Sequence, residues 1–172
     1  MREVTVVDLA MSFEAGEFVF LAGTSGETIE LTTLLADVHT SVADACFLTS
    51  FVPGINSRCL ARPGHGSRMG TFFLQPSLRN ALAEGRIDFR PISYFGIHRF
   101  LSDSATRIDT AVVQVAPPDH NGQCSLGPAV EFMPSVIARA GRVFGVINPN
   151  VPRLPGSVSV PIEQFERIAY SS

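Results

Sequence analysis

The chain contains no lysine and no tryptophan, and charged residues make up only 17% of it, against a usual share of about 25%. All 13 basic residues are therefore arginines. They are scattered from Arg2 to Arg167 without forming a stripe, and the net charge is −3. Sequence-independent nucleic-acid binding, which needs a basic patch, has no electrostatic basis here. The arginine skew fits either a codon bias or a surface covered by a partner. The low total charge favours the second reading and with it a homo-oligomer. Long hydrophobic runs are also missing. The longest spans residues 18–22, far below the roughly 20 that a membrane-crossing helix needs. The first residues include Glu3 and Asp8 rather than the basic start of a signal peptide, so a soluble, cytoplasmic protein is expected.

Cysteine is sparse as well. Cys46, Cys59 and Cys124 are an odd number with no close pair, which argues against a disulfide framework and against a four-ligand zinc site. His39, His65, His98 and His120 are far apart, and none has a second ligand at metal spacing, so no metal is expected. No G-x-S-x-G elbow is present, which removes the usual signature of a serine hydrolase. Cys124 has no basic neighbour to activate it and reads as a small core residue.

What remains is an ordinary apolar share of 45% in 172 residues, enough for one core and one domain over residues 1–172. Apolar runs at residues 18–22, 45–51, 70–74, 87–94, 110–116 and 143–147 read as strands. Between them lie segments of helical period. Leu31, Leu34, Leu35 and Val38 share one face. Pro76 opens a helix with Leu78, Ala81 and Leu82 inward and Gly85 as its stop, and Pro134 opens another with Val136, Ile137 and Ala140 inward, ending at Gly141. Residues 52–67 carry many breakers and no period, so they form a long loop. The alternation predicts an α/β fold, a mostly parallel sheet with helices on both faces. There is no internal repeat and no low-complexity tract.

Ligands of open parallel sheets gather at the carboxyl ends of the strands, and three loops lie there. In the first, Gly23, Thr24, Ser25, Gly26 and Glu27 precede a helix whose unpaired amides can hold a carboxylate or a developing oxyanion. The alternative is a plain tight turn, with Glu27 supplying favourable charge to the first helical turn. In the second, Asp119 and Asn121 are residues that shape turns, and Ser125 offers a hydroxyl. In the third, Asn148 and Asn150 stand among prolines and can bond a carboxylate or thioester carbonyl, or simply form a rigid polar turn.

The stretch Pro117-Pro118-Asp119-His120-Asn121-Gly122-Gln123-Cys124-Ser125-Leu126-Gly127, followed by Asn148-Pro149-Asn150-Val151-Pro152-Arg153, resembles the hallmark of acetyl-CoA hydrolases and transferases, the 4-hydroxybutyrate CoA-transferase branch of class I. Where that family usually has histidine, this chain has Asn121, with His120 one place earlier. Gly23-Thr24-Ser25-Gly26-Glu27 resembles the family's first turn, with Thr28 where a proline is common. Residues 79–91 resemble a further family segment, and the resemblance covers residues 18–158. It implies a CoA-transferase domain of the NagB/RpiA-like kind, the N-terminal half of the enzyme. The nucleophilic glutamate is then expected outside this chain, in an absent C-terminal half. Acyl-CoA and a small carboxylate are the implied substrates, coenzyme A is a co-substrate, and no other cofactor is implied. The alternative is a non-catalytic module that binds CoA thioesters or carboxylates, or assembles with other chains.

Overall fold

The computed structural model describes residues 1–171. Among the described residues, ten strands and five helices follow one another. They are β1 (Arg2–Glu3), α1 (Val6–Ala10), β2 (Phe18–Leu21), α2 (Ile29–Ala36), β3 (Cys46–Thr49), β4 (Arg68–Thr71), α3 (Arg79–Ala83), β5 (Ile87–Phe89), α4 (Tyr94–Ser102), β6 (Thr110–Val115), β7 (Gln123–Ser125), α5 (Met133–Ile137), β8 (Arg142–Ile147), β9 (Ser159–Pro161) and β10 (Arg167–Tyr170). Eight strands form one sheet in the order β1-β10-β8-β6-β2-β3-β4-β5, and every pairing in it is parallel. β7 and β9 pair antiparallel in a separate ribbon.

Side chains alternate across the strands and divide the core into two layers. Val19 and Leu21 of β2, Val112 of β6 and Phe144 and Val146 of β8 pack with Leu9 of α1, Leu31 and Leu35 of α2 and Ala81 of α3. Phe20, Ala111, Val113, Val115, Val143 and Ile147 pack on the opposite face with Ile97 and Leu101 of α4 and Val136 of α5. Helices cover both faces, and burial on both sides explains why β2 and β6 read as unbroken apolar runs.

Several boundaries differ from the sequence-based expectation. The strand expected over 87–94 ends at Phe89 because the chain turns at Pro91 and α4 begins, its first turn capped by the Ser93 hydroxyl accepting from the Gly96 amide. The strand expected over 70–74 lies at Arg68–Thr71 instead. α2 ends at Ala36, which leaves Val38 outside the helix and 40% exposed. α5 ends at Ile137, three residues short of Ala140. Periodicity does not anticipate β1, α1, β9 and β10, since each has five residues or fewer. Residues 52–67 contain neither helix nor strand, as expected.

The strand order reverses at β2. From it the chain runs outward through β3, β4 and β5, then returns to lay β6 on the other side of β2. The carboxyl ends of β2 and β6 flank this switch point, where open α/β sheets hold their ligands.

Candidate functional site

At the switch point the loop after β2 makes a short 3-10 turn over Thr24–Gly26. Glu27 is extended there, so α2 starts one residue beyond Thr28 and does not follow the glycines directly. Gly23 allows the loop to lie against the end of β3. A Cβ at this position would sit 2.0 Å from the Ser50 carbonyl oxygen. The glycine is thus required by backbone packing.

Two carboxylates hold the loop from opposite sides. The Glu27 carboxylate, 5% exposed, accepts from Thr32 Oγ1 at 2.7 Å, Asn56 Nδ2 at 2.7 Å and Arg58 Nη1 at 3.1 Å. Asn56 also accepts from the Thr24 amide at 2.8 Å and donates to the Thr24 carbonyl. On the other side Glu131 accepts from Thr24 Oγ1 at 2.7 Å and Ser50 Oγ at 2.8 Å, and Ser50 Oγ accepts from the Gly23 amide. Thr24 and Glu131 are the two non-glycine residues with positive φ among those described, at 48° and 39°, a conformation that needs its surroundings to hold it. Tyr94 stands nearby, its ring 4.8 Å from that of Phe132. Its hydroxyl pKa is raised, first by burial and then by the charge of Glu131.

The second and third loops clamp each other. Asp119 Oδ1 accepts from the amides of Asn121 and Gln123, both at 2.9 Å. The bond from Gln123 first, then that from Asn121 and the charge of Arg153, outweigh partial desolvation and lower its pKa. Arg153 donates to the carbonyls of Pro117 and Gln123 at 2.5 and 2.6 Å. Gly127 has φ +63°, and a Cβ there would meet Val151 at 2.6 Å. Asn148 Oδ1 accepts from the Asn150 amide at 2.9 Å, which makes a turn, while its Nδ2 donates to Gln114 Oε1 at 3.1 Å. Gln114 Nε2 in turn donates to the Ser25 carbonyl at 3.0 Å. Gln114 therefore ties the first loop to the third.

Between them opens a cleft of about 550 Å³. Of the residues expected at the site, Thr24, Ser25, Gly26, Glu27, Asn148 and Asn150 line it, together with Gln114, Thr28, Glu30, Val146 and Val151. Gly23 lies behind the loop. Ser125 does not line the cleft. It is buried, and its hydroxyl accepts from the Gly127 amide at 3.1 Å. His120 is exposed beside Asn121. Sequence reasoning misses Gln114, Ser50 and Asn56 as site residues. Gln114 carries a signal, as a polar residue that interrupts the apolar run following Thr110 in β6. Asn56 carries none beyond its place in the long loop.

A doubly wound parallel sheet with a cleft at its switch point is the class of domain these features define. A model of the family described as "Acetyl-CoA hydrolase/transferase N-terminal domain" matches residues 3–171, and the chain belongs to that family. It is 32% identical over 93 residues to a succinyl-CoA:acetate/propanoyl-CoA:succinate CoA transferase of Fasciola hepatica, an alignment covering 54% of this chain and 20% of that one. It is 26% identical over 105 residues to the 4-hydroxybutyrate coenzyme A transferase of Clostridium kluyveri, covering 61% and 24%. Among solved structures, RipA from Yersinia pestis superposes with a TM-score of 0.82 at 20% identity, over 99% of this chain and 42% of that one. A variant of the decarboxylase AibA/AibB superposes with 0.72 at 16% identity, over 99% and 82%. The matches span about a quarter or less of these two curated relatives.

Proposed function

We propose that this chain forms the N-terminal half of a CoA-transferase or acyl-CoA hydrolase. In this reading it supplies one wall of the cleft, and a partner half supplies the nucleophilic glutamate. That glutamate attacks the acyl-CoA carbonyl and expels CoA thiolate, leaving a mixed anhydride. The thiolate attacks the anhydride at the glutamyl carbonyl, freeing the carboxylate product and leaving a glutamyl-CoA thioester, from which a second carboxylate takes CoA by the reverse steps. Water at the same intermediate gives hydrolysis. Splitting one exchange in this way is covalent catalysis. Acyl-CoA and a small carboxylate are the substrates, coenzyme A is the co-substrate, and the setting is cytoplasmic.

One observation carries the reading. The cleft lies at the switch point, yet both carboxylates that hold its first loop, Glu27 and Glu131, are engaged in hydrogen bonds within the chain. Carboxylates so engaged support a positioning role for the loop they hold, and Glu30, which also lines the cleft, stands exposed on the first turn of α2. Thr24, Ser25, Gly26 and Glu27 with Asn148 and Asn150 form that positioning wall, while Gly23 lets its first loop pack against Ser50 and Ser125 holds the turn at Gly127.

The test is isotope exchange of labelled acetate into acetyl-CoA. The chain alone should give none, and the chain mixed with the C-terminal half of a related CoA-transferase should give exchange. No exchange in either case would favour a binding or assembly module without chemistry.

A further inference from the structure

Strands β2 to β5 carry a second hollow toward the end of the sheet opposite the cleft. Phe18, Cys46, Arg68 and Ile87 are the first residues of these strands, and all four line a groove of about 700 Å³. Phe47, Met69 and Ile87 belong to the core layer of α1, α2 and α3. By alternation their neighbours face the α4 side, where the register sets Phe18, Cys46 and Arg68 in one row and Leu48, Gly70 and Asp88 in the next. Gly70 brings no side chain to the middle of this surface, and Leu48 leans over it, its Cδ1 2.9 Å from where a Cβ would stand. Phe100 near the end of α4 and Thr106 beyond it complete the wall. The volume is within the usual range for a small-molecule site.

The chain as a whole is negative, yet the arginines lining this groove, Arg68, Arg90 and Arg107, outnumber its acids, Asp88 and Asp103. Asp88 accepts from Arg90 Nε at 2.9 Å and Nη2 at 2.5 Å. Arg107 pairs with Asp109 at 2.7 Å, and Asp103 Oδ1 accepts from the Ala105 amide at 2.9 Å. Arg68 is exposed and forms no ion pair among the described residues. Its Nη2 donates to the Gly85 carbonyl at 2.9 Å, which leaves most of the guanidinium fork for a carboxylate or phosphate.

The other two guanidinium groups are seated on rings. Arg107 lies 4.8 Å from the centroid of Phe18, and Arg90 lies 4.8 Å from that of Phe100. Both rings line the groove, and Phe18 is 39% exposed. Aromatic and guanidinium surfaces stack on flat groups. A neutral ring would use only these walls, and a small anion only Arg68. A flat anion uses both.

We propose that this groove is a second binding site, for a planar aromatic group carrying an anionic substituent, with the anion on Arg68 and the ring against the Phe18 and Phe100 edges. It is separate from the cleft and does not rest on the function proposed there.

The test follows the amide signals of the chain labelled with nitrogen-15 as four probes are added. 2-Naphthoate and adenosine 5′-monophosphate are flat anions, 2-naphthalenemethanol keeps a ring without the charge, and inorganic phosphate keeps a charge without the ring. At least one flat anion should shift the amides of residues 46–48, 68–70 and 105–107 in a saturable way and leave those of residues 25–31 in place. Binding of naphthoate alone assigns the groove to aromatic acids, and binding of the nucleotide alone assigns it to nucleotides. The alcohol and phosphate should bind about tenfold more weakly or worse. Arg68→Gln should weaken the flat anion by about tenfold, while Arg79→Gln, at an exposed arginine outside the groove, should leave it within about threefold. The proposal is overturned if neither flat anion shifts the groove amides, if the alcohol or phosphate binds as tightly, or if the two variants bind alike. Absence of CoA exchange with a partner half would remove the proposed function and leave this site standing.

Discussion

Gly23 leaves no room for a methyl group, since its Cβ would fall 2.0 Å from the backbone oxygen of Ser50, just past the end of β3. Gly23→Ala should destabilise the fold by about 3 kcal/mol through forced backbone displacement. Gly16→Ala, at φ +75° but with open space around it, should cost only about 1 kcal/mol. Urea denaturation of both variants compares them, and equal losses would contradict the packing argument. Glu131→Gln keeps the shape and removes the charge that two hydroxyls share. It should lose about 1–3 kcal/mol and move the Tyr94 hydroxyl partway back down, because burial remains as the larger cause. Ultraviolet titration of the tyrosines reads that shift, and a Tyr94 that does not move would separate it from Glu131. Asp119 titrates with the opposite sign. Its folded pKa is lowered, so its contribution is present above the ordinary value of about 3.9 and is lost as the pH falls through the folded value. The amide signals of Asn121 and Gln123 should move together in that acid range and stay still above it. At this scale the sequence is partly legible. Asp119 and Asn148 are turn-forming residues, and both bond amides two residues on. Glu131, by contrast, acts across 107 residues on Thr24, a distance no local pattern spans.

The elements legible in the sequence are those buried on both sides or punctuated by glycine and proline. β2, β6 and β8 appear as apolar runs, and α3 stops at Ala83, two residues before Gly85 with φ +70°. α4 is not anticipated, although Ile97 and Leu101 are fully buried at i, i+4 spacing. Gly96 and the aromatic and β-branched residues Tyr94, Phe95, Ile97 and Phe100 lower its intrinsic propensity, so tertiary packing decides the conformation. A helix so dependent should respond to its cap. Ser93→Ala should cost about 1 kcal/mol, and hydrogen exchange should accelerate in α4 ahead of the sheet. Uniform acceleration throughout would show that α4 does not open on its own.

Across the whole molecule the low charge share has a visible counterpart. Ile92, Tyr94 and Phe95 are close in sequence and 38%, 58% and 70% exposed, the kind of apolar exposure that marks contacts between proteins. Self-association through this segment is expected in solution, and Phe95→Glu should abolish it without loss of stability. Sedimentation velocity tests this, and a wild-type chain that remains monomeric at high concentration would count against it. Parallel topology and helices on both faces are readable from the alternation of apolar runs with segments of helical period. The clamp of Arg153 on the second loop is not, because it depends on two carbonyls 30 and 36 residues away.

If this wall of the cleft positions an acyl-CoA without attacking it, intact-mass spectrometry after incubation with acyl-CoA and borohydride reduction measures that most directly. The chain alone should keep its unmodified mass, and a mixture with a C-terminal CoA-transferase half should show modification on the partner only. Modification of Glu27, Glu30 or Glu131 in the isolated chain would contradict the account and make this domain catalytic by itself.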